Sequence, residues 1–452
     1  MKKNLFLLFC LLLPALAEQP QNSSPAAPDT ATEERLAGLK EAATQGDAYS
    51  QRQLYLRYAI QGHQEQARHW ADTLLQNLNA KAENGDLTAM WTLARLFMAG
   101  DEYIPTDNEK TLFWLNRLSA RNDPSAAFLL GELYNKQGNP EAAKSAYAKA
   151  YTIYTQEAAA GRQESLYWQG YMELNALGTE LNAQEGLAHM EQAAEAGVVG
   201  ASYQLFKAYT SGLGTEKSPA KALHHARRLA DHTQDGQMAY IVADAYLNAK
   251  GVNKDETLGQ RYLEQAVQAR IPAALYHKGW LLQQENKASE ALPLYREAAA
   301  QGHADAAVKA GTMMLRGEGT EKDAAEGLKY LHYADTDLQS PFAPYELALY
   351  YDAAGEPELA NSYYVSASNR GYPAAYARRG LLHLNPLTEV DWSPTAAYHW
   401  WKLGSDAGDS ASTLYLRLYM FGFVPLLLIL IFGLPLYWVH RLSKKAHQET
   451  AE

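Results

Sequence analysis

An internal repeat constrains the fold of this chain more than any other feature of its sequence. An Ala-rich helical stretch closes on a small or turn-forming residue again and again, and successive closures lie 31 to 39 residues apart, with a mean near 36. Self-similarity at a period of this length is typical of a stacked repeat array. The clear closures are Gly46, Gly85, Gly161, Gly197, Gly302, Gly371 and Gly408, and weaker copies stand at Asn122, Gln234, Arg270 and Ser340.

Each repeat predicts two helices. After one closing turn come Ala201, Leu205 and Tyr209 at helical spacing, then a loop, and then a second helix in which Pro219 suits the first turn. A single helix pair cannot bury its apolar face, so neighbouring pairs must stack on each other. The sequence therefore predicts an all-α, right-handed superhelical solenoid of about ten helix pairs over residues 34–418, with a concave wall lined mainly by the first helices.

Four of the loops between paired helices share one pattern. They are GLGTEKSPAKAL (212–223), AKGVNKDETLGQRYL (249–263), GEGTEKDAAEGLKYL (317–331) and ALGTELNAQEGLAHM (176–190). These loops resemble those of the Sel1-like repeat, a relative of the tetratricopeptide repeat with a Gly-x-Gly loop in which glycine permits a positive φ. The resemblance covers roughly residues 40–418.

Other units depart from that pattern and have the short turn of ordinary tetratricopeptide repeats. They are QGNPEAAKSAY (137–147), ENKASEALPLY (285–295) and AGEPELANSYY (354–364). The array is therefore predicted to be mixed.

The N-terminus has the features of a cleaved signal peptide. A basic start, an apolar run over residues 5–13 and an A-x-A site ending at Ala17 predict cleavage after residue 17. The run is too short to cross a bilayer, which needs about 20 residues. Residues 18–33 are rich in Pro, Ser, Ala and Thr and predict a flexible spacer.

The C-terminal region predicts one transmembrane helix. Residues 419–439 carry no charge, and a 21-residue helix would be about 31 Å long, enough to cross a hydrocarbon core. Arg441, Lys444 and Lys445 follow at once, which places the tail, residues 440–452, in the cytoplasm. The two ends together predict repeats outside the cytoplasm.

Few residues in the sequence suggest chemistry. The net charge of −11 argues against a nucleic-acid partner, and the only cysteine, Cys10, lies in the predicted signal peptide. Ser218 and Lys221 match S-x-x-K, but its companion motifs are missing and Ser218 is better explained as a helix N-cap. His224 and His225 are adjacent and cannot face the same way on a helix. No catalytic, cofactor-binding or metal-binding residue is predicted.

The chain is rich in aromatic residues, with 30 Tyr and 9 Trp. Tyr134, Tyr209, Tyr246 and Tyr350 recur near the ends of first helices, and we expect them to pack between repeats. For Trp392, Trp400 and Trp401 two interpretations stay open: they pack the terminal repeat, or they touch a lipid surface.

The resemblance implies a non-enzymatic scaffold or adaptor that binds protein partners on its concave face. The signal, with its short Lys-Lys start and Ala-Leu-Ala end, is typical of bacteria. It predicts that the repeats lie in the periplasm and that the C-terminal helix holds the protein at the inner membrane. One role known in the family is scaffolding of exopolysaccharide export. Two alternatives are a lumenal adaptor of an endoplasmic-reticulum quality-control complex and a carbohydrate-binding module. Polysaccharide is therefore a further candidate partner, and the sequence does not identify a partner-binding residue.

Overall fold

The computed structural model describes residues 30–384 and 391–423, and these form 22 α-helices and one short π-helix, Tyr419–Phe423. Within these ranges there is no β-strand. The helices are α1 (Thr30–Thr44), α2 (Ala48–Ile60), α3 (Gln64–Glu83), α4 (Leu87–Ala99), α5 (Asn108–Ser119), α6 (Pro124–Lys136), α7 (Pro140–Ala159), α8 (Gln163–Leu174), α9 (Ala183–Glu195), α10 (Val199–Ser211), α11 (Pro219–Thr233), α12 (Gly236–Leu247), α13 (Glu256–Gln268), α14 (Pro272–Gln284), α15 (Ala288–Ala300), α16 (Ala304–Arg316), α17 (Ala324–Thr336), α18 (Ala343–Ala353), α19 (Pro357–Asn369), α20 (Ala374–Leu384), α21 (Pro394–Asp406) and α22 (Ser410–Leu418).

The chain divides within α11 into two compact units, one ending at Leu229 and the other beginning at Ala230. In both, successive helices pack on their chain neighbours, as in α6 with α7 or α16 with α17. Counted from α2, the described helices make ten pairs, ending with α20 and α21, so the predicted all-α solenoid of about ten pairs is confirmed.

The predicted closures have a common backbone conformation. All seven closing glycines have a positive φ, between 83° and 95°, and the weaker copies Asn122, Gln234 and Arg270 adopt φ values of 55–59°. The fourth weak copy is the residue before the predicted one: Gln339, at φ 53°, has the positive φ, whereas Ser340 does not. A helix ends at such a residue because the left-handed turn bonds the last carbonyls.

The next helix usually starts two residues after the closure, behind an N-cap. Asp47, Asp86, Asp123, Asp235 and Asp409 each accept a hydrogen bond from a backbone N–H of the first turn. These side chains satisfy donors that have no partner within a helix. The closing residue and the N-cap together fix where each first helix begins, and therefore which of its residues face the core.

Small residues dominate the interior of each unit. In the N-terminal unit, Ala89, Ala94 and Ala126 are fully buried with Leu93 and Leu115. In the C-terminal unit, fully buried alanines surround Tyr295 and Leu331. Alanine allows two helix axes to approach closely, so each pair forms a thin layer that needs its neighbours to complete the core.

The predicted terminal segments lie largely outside the described residues. The signal peptide at 1–17, residues 424–439 of the predicted span and the tail at 440–452 all fall there. The first described helix begins at Thr30, inside the segment 18–33 that the sequence predicted as a spacer. Among the helices of 30–384 and 391–423, none has both the length and the apolar character needed to cross a membrane.

Candidate partner-binding surface

In the N-terminal unit, four consecutive first helices place an aromatic residue at the same point, six residues after the closing residue. These residues are Trp91 on α4, Phe128 on α6, Tyr167 on α8 and Tyr203 on α10. The closing turn and the N-cap fix this point on every first helix, so the aromatic side chains recur at one helical phase.

The outer members of this series bond to their neighbours. Trp91 donates from Nε1 to Asp123 Oδ2 at 2.8 Å, a contact with the N-cap of α6, and Arg95 lies over its ring. On α10, the Lys207 ammonium lies 5.7 Å from the Tyr203 ring centroid. The first and last rings of the series, Trp91 and Tyr203, are therefore each accompanied by a cationic side chain.

The two middle members, Phe128 and Tyr167, belong to an aromatic cluster on helices α6 to α8. We call it the α6–α8 cluster, and its other members are Tyr154, Trp168 and Tyr171. Ring centroids of Trp168 lie 5.1 Å from Phe128, 5.8 Å from Tyr154 in a stacked arrangement, and 5.7 Å from Tyr171. Trp168 and Tyr171 are half-buried, so part of each ring remains accessible on a rigid helix.

Polar groups border the α6–α8 cluster. Glu173 is buried and accepts hydrogen bonds from Tyr151 at 2.9 Å and from Gln169 at 3.0 Å, while His189 Nδ1 lies 2.8 Å away. Burial, and then the nearby charge of Glu132, raise the pKa of Tyr171. At neutral pH the Tyr171 phenol therefore stays protonated, with an O–H that can serve a ligand as a hydrogen-bond donor.

The C-terminal unit has a smaller aromatic surface, which we call the α12–α14 row: Tyr240, His277 and Trp280. The ring centroids of Tyr240 and His277 are 6.3 Å apart, and those of His277 and Trp280 are 6.2 Å apart. Trp280 is 42% exposed. Burial lowers the pKa of His277, so this ring is neutral at pH 7 and behaves as an aromatic, polar surface.

Ser218 and Lys221, the two residues that match S-x-x-K, have structural roles. Ser218 precedes α11, and its Oγ accepts from Lys221 N at 3.4 Å, which confirms the predicted N-cap. The ammonium of Lys221 lies 4.8 Å from the ring centroid of Tyr209 and bonds to its hydroxyl. Both side chains are thus engaged at the junction of α10 and α11.

The adjacent histidines have different environments. His225 is buried, stacks on Tyr209 and places Nε2 3.3 Å from Glu191 Oε2, while Tyr209 donates to Glu191 at 2.8 Å. The bond to His225 is the main reason why the pKa of Glu191 is lowered. Burial lowers the pKa of His224. Across the described ranges, no three His, Cys, Asp or Glu residues converge as metal ligands would.

The recurring tyrosines pack largely as expected. Tyr209 is buried, and Tyr134 contacts the cores on both sides of α6. Tyr246 is half-buried. On α18 the equivalent residue is Tyr351 rather than Tyr350, because Tyr351 lies twelve residues after Gln339 and stacks on Tyr363 at 5.5 Å.

The three tryptophans differ. Trp401 is buried and donates from Nε1 to Ala377 O at 3.1 Å, so it packs the terminal repeat. Trp400 covers the guanidinium of Arg379, which is 8% exposed, and burial lowers the pKa of that group to about 10. Trp392 is 57% exposed.

The predicted glycine loops are confirmed. Gly212 and Gly214 have φ values of 81° and 69°, and Gly317 and Gly319 both have φ values of 74°. What sequence reasoning missed is the accessible pair Trp168 and Tyr171. Their positions, seven and ten residues after the closing residue Gly161, were the available signal.

The comparisons with known proteins agree with this architecture. A crystal structure of c5321, described as a protective antigen present in uropathogenic Escherichia coli strains and displaying an SLR fold, is similar with a TM-score of 0.60 and 25% identity, over 86% of this chain and 83% of that one. A Sel1 repeat protein from Oxalobacter formigenes gives a TM-score of 0.52 at 19% identity, over 73% of this chain and 92% of that one, a likeness of fold alone.

A curated relative and a family model complete the comparison. An uncharacterized protein of Neisseria meningitidis serogroup B is 25% identical over 243 residues, which is 54% of this chain and 47% of the relative, so the match spans about half of that protein. The model for the Sel1 repeat matches seven segments: 87–123, 163–198, 199–233, 237–269, 273–303, 304–334 and 373–409. Since these segments cover more than half of its residues, the chain belongs to the Sel1 repeat family.

Proposed function

We propose that this protein is a non-enzymatic scaffold whose protein partner binds the first-helix surface of the N-terminal unit, centred on Trp168 and Tyr171. Sel1 repeat proteins are generally protein-interaction scaffolds. The observation that carries the proposal for this chain is the α6–α8 cluster, because partly exposed aromatic rings on rigid helices, beside hydrogen-bonding groups, are typical of binding hot spots. In the superhelix that the sequence predicts, this surface lies on the concave wall.

We place the scaffold in the periplasm of a bacterium, anchored in the inner membrane by residues 419–439, with its C-terminus in the cytoplasm. The support is the predicted signal, the uncharged run and the basic residues behind it. The three relatives named above are bacterial, which also favours this setting. At the inner membrane, such a scaffold would assemble the proteins of an envelope or exopolysaccharide-export complex.

The partner surface is tested by site-specific photocrosslinking in the native cell. A crosslinking amino acid at Gln204, which neighbours Tyr203 on α10, should trap one protein, which is then identified and titrated. Trp168→Ala and Tyr171→Ala should each weaken its binding by about 30-fold, the equivalent of 2 kcal/mol at a hot spot.

Phe113 provides the matched control, since it is 51% exposed on the second helix α5. Phe113→Ala should leave affinity unchanged. If Phe113→Ala weakens binding as much as Trp168→Ala does, the partner does not use the first-helix surface.

The topology has its own test. Alkaline phosphatase fused after residue 410 should be active, because that enzyme needs the oxidising periplasm, and a cytoplasm-only fluorescent reporter fused after residue 452 should glow. An inactive phosphatase would place the repeats in the cytoplasm and refute the proposed location.

A second candidate function is carbohydrate binding, favoured by the exposed ring of Trp280. Aromatic faces stack on sugar rings, and the α12–α14 row presents Trp280 next to the neutral imidazole of His277. Oligosaccharides from the native envelope should then bind the purified protein, and Trp280→Ala should abolish that binding while Trp168→Ala does not. Binding that is insensitive to Trp280→Ala would exclude this row as a glycan site.

A further inference from the structure

The last described α-helix, α22, holds the position of the first helix of a pair, and no second helix of that pair follows it within the described residues. One side of α22 packs on α21: Ser412 is fully buried against Gly404, and Tyr415 and Tyr419 lie 5.6 and 5.9 Å from the Trp401 ring centroid. These contacts fix the rotation of α22 and of the π-helix that continues it. They also determine which residues face away from the solenoid.

The opposite side is an exposed apolar stripe. Leu414, Leu418 and Phe421 are 55%, 59% and 84% exposed, and their spacing of four and three residues places them on one helical face. Of the counterparts of Leu414 in the aromatic series of the N-terminal unit, Phe128 and Tyr167 are only 3% and 6% exposed, and Trp91 and Tyr203 are half-buried. No described residue covers the stripe on α22.

The surroundings of this stripe indicate what covers it. Arg417 is exposed on the same helix. Trp392, which is 57% exposed, lies two residues before α21, and the Tyr398 ring centroid in the first turns of α21 is 5.9 Å from that of Tyr419 at the end of α22. A cation and an indole at the same end of an apolar helix are typical of side chains at the headgroup level of a membrane. The sequence from 419 to 439 continues without one charged residue.

A second copy of the chain is a poorer occupant. A stable dimer interface buries roughly 800 Å² on each partner, and a stripe of three side chains offers much less. A bilayer has no such minimum, because each apolar side chain gains transfer energy on its own.

We infer that Leu414 and Leu418 contact a bilayer at the level of its headgroups and that Phe421 reaches its acyl chains, so that lipid takes the place of the next helix pair. The inference rests on the proposed membrane location and adds to it: the end of the solenoid lies on the membrane through a face that α21 holds in a fixed rotation. About 10 Å of helix separates Leu414 from Phe421, so Phe421 lies deepest if the axis runs into the membrane.

Nitroxide labels test this contact. Cys10 is the only cysteine, so a Cys10→Ser background accepts single labels by Leu414→Cys, Leu418→Cys, Phe421→Cys and, as control, Leu181→Cys, which replaces another exposed apolar residue, 67% exposed in the loop before α9. The full-length protein is placed in nanodiscs of phosphatidylethanolamine and phosphatidylglycerol. Power saturation should give several-fold higher access of oxygen relative to a water-soluble nickel chelate at the three stripe positions than at Leu181→Cys, rising from 414 to 421.

Two results would overturn the inference. Equal accessibility at all four positions shows that the stripe is in water, and line broadening that vanishes on dilution with unlabelled protein shows a second copy there. Flotation separates these from a failure of the anchor: a chain that does not float with liposomes refutes the membrane location itself, whereas a chain that floats with water-exposed labels refutes only the lipid contact.

Discussion

Neighbouring helix pairs in this molecule reach the same architecture by two packing arrangements. The pair α6–α7 is joined by the three-residue turn 137–139, and Tyr147 lies against Gly131 so closely that a Cβ there would be 2.5 Å from the ring. The next pair, α8–α9, is joined by eight residues and meets glycine on glycine: a Cβ on Gly170 would lie 2.5 Å from the Gly186 carbonyl oxygen.

The same contrast recurs in the C-terminal unit. In the short-turn pair α14–α15, Tyr295 lies against Gly279, and in the long-loop pair α16–α17 the facing residues are Gly311 and Gly327. In these four pairs, a long loop accompanies backbones in close contact, while after a short turn a tyrosine ring fills the space between the axes. Its hydroxyl bonds back to the first helix, as Tyr295 does to Gln283 at 2.9 Å.

The long loop has a second role, because it rests on the preceding short-turn pair. A Cβ at Gly178 would overlap the backbone of Tyr147 and Ala148 on α7, and one at Gly319 would overlap Ala288 and Ser289 on α15. In the same loop as Gly319, Gly317 has ordinary space around it, 3.4 Å or more. The first glycine of the loop is therefore needed only for its positive φ. The second is needed for its positive φ and also because a side chain there would overlap the backbone of the preceding pair.

The largest expected loss of stability comes from removing the buried tyrosine ring of a short-turn pair. Tyr295→Ala should lower the free energy of unfolding by about 3–5 kcal/mol, because the ring is fully buried and a cavity is left against Gly279. Urea unfolding monitored by circular dichroism measures it. Tyr330→Ala, at a half-buried tyrosine on α17, is the control and should cost less than half as much. Equal losses would mean that the tyrosine is not the distinguishing element of the short-turn pair.

Next comes the loop glycine that touches a neighbouring backbone. Gly319→Ala should cost about 2–4 kcal/mol, from the left-handed φ and from overlap with α15, whereas Gly317→Ala should cost only about 1–2 kcal/mol, from its φ. Hydrogen exchange of α15 should rise in the first variant alone. If both variants lose the same stability, the loop does not dock on the preceding pair.

A smaller effect is expected from the tyrosine hydroxyls. Tyr295→Phe removes a 2.9 Å bond to Gln283 and should cost about 1 kcal/mol, while Tyr364→Phe removes a 3.4 Å contact with Asp352 and should cost less. Thermal unfolding of the two variants, measured side by side, tests the order. The reverse order would show that the distances do not rank the two bonds.

The smallest effect has the opposite sign. Ala176 and Ala249 hold the first-glycine position of their loops with a φ of 53° each. Ala176→Gly should therefore stabilise the chain, by about 0.5 kcal/mol after the extra entropy of the unfolded state is subtracted. Ala188→Gly, at an exposed site in α9, is the control and should destabilise by about 1 kcal/mol. Destabilisation by Ala176→Gly would contradict strain at that position.

Sequence reasoning predicted the period, the pairing and the loop glycines, because these depend on local backbone requirements. A positive φ at Gly212 or Gly317 follows from a Gly-x-Gly loop alone. The one-residue error at Ser340 arose where neither Gln339 nor Ser340 is a glycine, so composition could not locate the left-handed residue.

The candidate surface was less predictable from sequence. Which aromatic rings remain accessible depends on contacts between pairs, such as Tyr154 of α7 stacking on Trp168 of α8. Those contacts join residues from different repeats, and a periodic pattern does not distinguish a ring that is covered from one that is half exposed. The same reason separates buried Trp401 from exposed Trp392 in one repeat.

Packing between chain neighbours also determines how the protein would respond to mechanical load. Because successive pairs contact mainly the pair before and after, a pull applied between the ends acts on the pairs in series. Each pair released adds about 36 residues of free chain, or roughly 120–130 Å of extension. The solenoid would then lengthen in discrete steps, each relieving tension on the remaining pairs, and would act as a force buffer between whatever holds its two ends.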